Sequence, residues 1–175
     1  MRIRRFNEDV NNKGFGQSTS VGLKLGLDFH GVIDAIPETF AFLTQAIVKN
    51  GGEVHIITGG SIAIPPLPGF KGEHEQDIVV ELKKFGVVYT HIFSIRDYHD
   101  ELDTPKTGVH AKYGFPTISD EEWDRTKGDY CRYHNIGLHI DDTLVYNDHF
   151  TTPFARIWTH SNNPKASWKD PKYIS

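Results

Sequence analysis

The chain is poor in several things at once. It has a single cysteine, Cys131, among 175 residues, so no disulfide can form within it, and a reducing compartment is the natural expectation. No run of 18 apolar residues occurs, and the opening MRIRRFNEDV lacks the apolar stretch of a secretory leader. There is no basic surplus either: 19 Lys and Arg stand against 23 Asp and Glu, a formal charge of -4, so the broad positive field that holds a phosphate backbone nonspecifically is missing. A soluble, cytoplasmic protein with no membrane partner is expected. Neither an internal repeat nor a low-complexity block is visible.

Histidine, by contrast, is plentiful. The ten histidines invite a metal-cluster reading, but they are scattered, and no HxxxH pair places two ligands on one helix face. They read as surface and half-buried side chains.

The organisation is one domain. Residues 1–20 are polar and read as an N-terminal arm, 21–160 as a single α/β domain and 161–175 as a C-terminal tail that docks through Trp168 or reaches a neighbour. From Leu23 the pattern alternates. Leu23 to Phe29 reads as a strand, Pro37 to Lys49 as a helix with an apolar face of Phe40, Leu43, Ile47 and Val48, and Glu53 to Thr58 as a second strand. Glu73 to Phe85 reads as a helix and Val87 to Ile95 as a third strand. Ser119 to Glu122 carries a capping-box pattern opening a helix to about His134, with a break at Gly128. Ile136 to Ile140 and Ala155 to Thr159 complete the strands. Strands separated by helix-length segments predict βαβ units and an open, mainly parallel sheet: a Rossmann-like three-layer α/β sandwich. Ser61 to Gly72, with three prolines including the PPLP segment, and Asp97 to Ile118 read as long loops at one rim.

In such sheets ligands sit beyond the carboxyl ends of the strands. The first strand ends in Asp28, the second in Thr58-Gly59-Gly60 and the fourth in Asp141-Asp142. Carboxylates gathered there repel by about 1 to 4 kcal/mol per close pair, so a positive partner is required. A hard divalent cation with oxygen ligands, Mg²⁺ foremost, meets that need, and Lys127 supplies a further positive charge.

The series LGLDFHGVID, HIITGG and KGDYCRYHNIGLHIDD, spanning Leu23 to Tyr146, resembles the motifs of the haloacid dehalogenase-like (HAD) superfamily. The resemblance implies a phosphatase that acts through an aspartyl phosphate on Asp28. Thr58 and the backbone N–H of Gly59 would hold the phosphoryl group, Lys127 would neutralise it, and Asp28, Asp141, Asp142 and the backbone carbonyl at His30 would hold Mg²⁺. Lys112 is the alternative to Lys127.

The sequence departs from the family at Asp28-Phe29-His30, where a second Asp is usual, and at Val32, where Thr is common. Imidazole chemistry allows His30 to serve as general acid and then base. Three readings follow: a Mg²⁺-dependent phosphohydrolase, a slow phosphotransferase whose phosphoaspartate persists, and an impaired module that binds a phosphorylated ligand. The short spacings between motifs leave no room for a substantial cap. By analogy an open site suits a nucleic-acid end or a protein, unless an oligomer partner covers it; a nucleotide or other small phosphoester is equally consistent. Tyr98, His99, Lys106, His110 and Tyr113 are candidates to line the rim.

Overall fold

The computed structural model describes residues 22–62, 77–109 and 116–157. Strand β1 (Lys24–Leu27) leads through a wide turn to helix α1 (Pro37–Lys49) and strand β2 (Glu53–Thr58). Helix α2 (Ile78–Phe85), strand β3 (His91–Ser94) and helix α3 (Ile95–Glu101) follow. A two-stranded antiparallel ribbon of β4 (Gly108–Val109) and β5 (Pro116–Thr117) precedes helix α4 (Asp120–Tyr133), strand β6 (Leu138–Asp141), a 3-10 segment (Leu144–His149) and strand β7 (Phe154–Arg156).

The main sheet has the order β3-β2-β1-β6-β7, and every neighbouring pair is parallel. The chain builds outward from β1 to β3, then returns to lay β6 on the other side of β1. Central parallel strands are buried on both faces, and β2 shows the result: after Glu53 its residues are all buried. Side chains alternate across the sheet. Val54 and Ile56 join Leu25, Leu27, Phe40, Ile78 and Leu82 in a core under α1 and α2, whereas Ile57 joins Phe93, Tyr98, Tyr130 and Cys131 under α3 and α4. The protein is thus mixed α/β with helices against both faces of a five-stranded parallel sheet, compatible with a three-layer sandwich. No helix among the described residues is long and apolar enough to cross a membrane.

Several expected boundaries shift for identifiable reasons. The third strand is only four residues long. At its start the Val87 N–H turns back to the Leu82 carbonyl, closing α2, and at its end the Ser94 hydroxyl accepts the Asp97 N–H and starts α3. The segment expected to be irregular from Asp97 therefore begins as helix. Tyr98 and His99 consequently face the interior rather than the rim, and Lys106 is paired with Asp100. The arm, the tail with Trp168, PPLP, Lys112, His110 and Tyr113 lie outside the described residues.

Helix α4 starts as expected, with Ser119 Oγ accepting the Glu122 N–H. It does not break at Gly128. A Cβ there would stand 2.4 Å from the His149 carbonyl oxygen, so this glycine admits the backbone of the 3-10 segment against the helix. Alanine favours a helix interior by about 1 kcal/mol, but here it must displace that backbone, and overpacking costs about 1–3 kcal/mol. Gly128→Ala is expected to lower the midpoint of urea unfolding despite its better helix propensity; a raised midpoint would refute the contact as the reason for the glycine.

His99 joins α3 to α4, with Nε2 2.8 Å from Thr126 Oγ1 and Nδ1 2.9 Å from Thr104 Oγ1. Burial pushes its pKa below the ordinary 6.5; Glu122 and Asp100 oppose that shift, while Lys106 and Arg125 add to it. The unfolded chain therefore takes up this proton first, and the stability contributed by neutral His99 is present above pH 6.5 and lost as pH falls below it. The thermal midpoint should drop less steeply between pH 7 and 5 in His99→Gln than in the unaltered protein, and equal slopes would count against this role.

Candidate active site

Strand order reverses between β1 and β6, and the acidic strand ends meet at that point. Asp28 directly follows β1, its N–H donating to the Ile140 carbonyl of the neighbouring strand at 3.0 Å. Its carboxylate Oδ1 accepts the Phe29 N–H at 2.8 Å, which fixes the side chain at the strand exit. The following wide turn is anchored by buried Phe29, Val32 and Ile33 and closed by the Asp34 N–H on the Phe29 carbonyl. Gly31 makes this turn possible. Its φ is +74°, and a Cβ would stand 2.4 Å from Asp142 Oδ2, so the turn packs directly beneath the second acidic loop. Asp34 Oδ1 accepts the Gly31 N–H at 2.6 Å.

Lys127 comes from the middle of α4, and its side chain is only 1% exposed. Its Nζ lies 3.2 Å from Asp28 Oδ2 and donates to Asp141 Oδ2 at 2.6 Å. The Tyr146 ring covers the ammonium at 4.4 Å, and the Trp123 indole N–H donates to the Tyr146 hydroxyl at 3.4 Å. Asp141 is fully buried. Besides Lys127 it receives the Thr143 N–H at 2.9 Å and contacts His139 Nε2 at 3.2 Å. Among the described residues His139 Nδ1 has no hydrogen-bond partner within bonding geometry, and the Asp141 carboxylate stands at Nε2, the pattern of a ring that carries its proton on Nε2.

One ammonium shared by two carboxylates splits their titration. Burial pushes the Asp28 carboxyl up to about 7, with Lys127 pulling it down and Asp141 pushing it further up. Asp141 is also penalised by burial, but Lys127 and His139 outweigh that and hold it well below the usual carboxylate range. Burial likewise works against the charge on Lys127, and the two carboxylates overcome it and raise its pKa. Asp142, half-buried, is raised by burial and by the Asp141 charge, although the Thr143 hydroxyl donates to it at 3.1 Å.

Asp28, Asp141 and Asp142 each bring a carboxylate oxygen within 4.8 Å of the others'. An all-oxygen donor set carrying three carboxylates against one ammonium suits a hard divalent cation. The His30 imidazole is not in this cluster. It is exposed, and its Cε1 lies 3.1 Å from the Cβ position of Gly60, a position also 3.7 Å from Thr58 Oγ1. Thr58 is fully buried, its hydroxyl accepting the Gly60 N–H at 3.2 Å, and Gly59 packs against Trp123. Sequence reasoning brought Asp28, Lys127, Asp141, Asp142 and the Thr58 turn to one rim, as they are found.

It missed the residues that hold them. Tyr146 and Trp123 carry no local signal of their role. Asp97, whose carboxylate accepts the Ser61 hydroxyl at 2.6 Å and the Ile62 N–H at 2.7 Å, ties the loop after β2 to α3. The Ser94-to-Asp97 capping pattern could have marked it.

Removing one partner of a buried ion pair leaves uncompensated charge. Lys127→Ala is expected to destabilise the fold by about 3–5 kcal/mol, with part of the loss restored by millimolar divalent cation, as measured by urea unfolding with and without the ion. A loss under 1 kcal/mol would show that Lys127 does not balance these carboxylates.

Searches against family models, curated proteins and solved structures find no match to this chain.

Proposed function

We propose that the chain is a HAD-like, Mg²⁺-dependent phosphohydrolase with a Rossmann-like core, cleaving a phosphomonoester through an aspartyl phosphate on Asp28. The observation that carries this reading is the Lys127 ammonium between Asp28 and Asp141, with Asp142 in reach of the same point.

The residues fit the chemistry. Phosphoryl transfer depends on positioning and on charge stabilisation. Asp28 is oriented by the Phe29 N–H and by Lys127, so a carboxylate oxygen can form the bond to phosphorus as the ester P–O bond breaks. Lys127 offsets negative charge on the transferring group. His30, on the exposed side of the turn, protonates the departing alkoxide, then takes a proton from the water that attacks phosphorus and releases Asp28. Thr58 and the Gly59 backbone border the phosphoryl position. Bound through Asp28, Asp141, Asp142 and the His30 carbonyl, Mg²⁺ would supply Lewis-acid polarisation of the phosphoryl oxygens and keep Asp28 ionised.

The substrate class follows the same reading: a phosphorylated small molecule, a nucleotide or a nucleic-acid end. The test is phosphate release with Mg²⁺ over nucleotides, sugar phosphates, phosphopeptides and 5′- or 3′-phosphorylated DNA and RNA. Asp28→Asn should lower turnover by about three orders of magnitude or more, and unchanged turnover would end the proposal. His30→Ala should lower it by about 10² to 10⁴; full turnover in that variant would remove His30 as acid and base. A stoichiometric burst of acyl phosphate without turnover would instead identify the slow phosphotransferase.

A further inference from the structure

At the opposite end of the sheet, where the strands begin, three histidines that are far apart in sequence come together. The spacing Glu53-Val54-His55 on a strand puts both ionisable side chains on one face. The parallel register then pairs His55 with His91 of β3, and their rings stack with centroids 4.2 Å apart and planes 12° from parallel. His134, just past the end of α4, brings its ring to 5.4 Å from His55 and 6.1 Å from His91. A search for helical spacing cannot detect this arrangement, because its unit is an i, i+2 pair on one strand plus the register partner on the next.

We propose that Glu53, His55 and His91 form a second cation site, separate from the carboxylate site and selective for a borderline transition-metal ion such as Zn²⁺. Each offers one ligand atom, and these lie within 4.8 Å of one another. Two imidazole nitrogens and one carboxylate oxygen are a zinc donor set, whereas an all-oxygen set suits Mg²⁺. With ligand bonds near 2.1 Å in a tetrahedral site, two ligand atoms on one ion stand about 3.4 Å apart. The required contraction is therefore up to about 1.4 Å, together with a turn of the His91 ring out of its stack on His55, and it falls on groups able to move: His91 is exposed and Glu53 half-buried, while His55 is fully buried.

The surroundings already orient His55 as a ligand. Its Nε2 stands 3.2 Å from Glu53 Oε2 and its Nδ1 3.0 Å from the Tyr130 hydroxyl. Without a cation, the proton between Nε2 and the carboxylate occupies the position an ion would take. On binding, that proton moves to Nδ1 and the Tyr130 hydroxyl turns to accept it, so the imidazole stays neutral and keeps a buried outer partner. Burial pushes both His55 and His134 down to about 4, leaving their rings neutral at pH 7. Lys24 opposes the site, its ammonium 3.1 Å from Glu53 Oε1. It engages the oxygen that His55 does not use, and its partial exposure lets it withdraw into water. The remaining coordination position falls to water or to His134.

The test uses the full chain with Co²⁺ as a spectroscopic probe, titrated in excess Mg²⁺ so that the carboxylate site is not the reporter. The expected result is one equivalent of Co²⁺ with a visible d–d band, bleached by Zn²⁺, retained in Asp142→Asn, and weakened at least tenfold in both His91→Ala and Glu53→Gln. His91 lies at the surface, so circular dichroism should show its variant folded. No d–d band up to 1 mM Co²⁺, a band that survives in His91→Ala, or one that disappears in Asp142→Asn would each overturn the proposal. Because the readout is spectroscopic, it stands or falls independently of phosphatase activity.

Discussion

The structure turns on a buried ammonium ion. Lys127 is held between Asp28 and Asp141 in a place where an unpaired charge would be prohibitive, and three separate parts of the chain must be correctly placed for that pairing to exist. Asp28 requires β1 to end beside β6; Asp141 requires β6 in register with β1; Lys127 requires α4 to lie across both. The geometry of the candidate active site is in this sense a condition of the fold. It also leaves the site electrostatically unfinished, since the single ammonium faces three carboxylates.

That imbalance gives the pocket its chemical character. Asp141 keeps its charge because Lys127, His139 and the Thr143 N–H all favour the ionised form. Asp28, with fewer donors to offset its burial, is driven the other way. Under the proposed mechanism, arrival of a divalent cation would restore the charge on Asp28 and with it the nucleophile. The aromatic cover from Tyr146 and its link to Trp123 shield the ammonium from water on one side, which strengthens its pull on the carboxylates.

Much of this was legible in the chain. The alternation of strand and helix patterns gave the parallel sheet, and the carboxylates at the ends of the first and fourth predicted strands were found at one rim because strand order reverses there. What was not legible depends on contacts between distant segments. Gly128 looked like a helix break, since propensity alone cannot reveal that a passing backbone occupies the space where its side chain would be. Tyr98 and His99 looked like loop residues because Ser94, which does end β3, also caps the helix that follows, and that second role was not read. The histidine group escaped notice because strand register, unlike helical periodicity, leaves no mark in a single stretch of sequence.

Strand β2 reaches from one rim of the sheet to the other, with Glu53 at its start and Thr58 at its finish. Five residue steps at about 3.3 Å each separate those ends by about 16 Å, roughly twice the distance over which physiological salt damps surface fields. The path between the two rims runs through the buried sheet, however, where salt does not enter, and two unit charges about 16 Å apart there still interact by about 1 kcal/mol at an effective dielectric near 20, so ions at the two rims would sense each other through the protein itself.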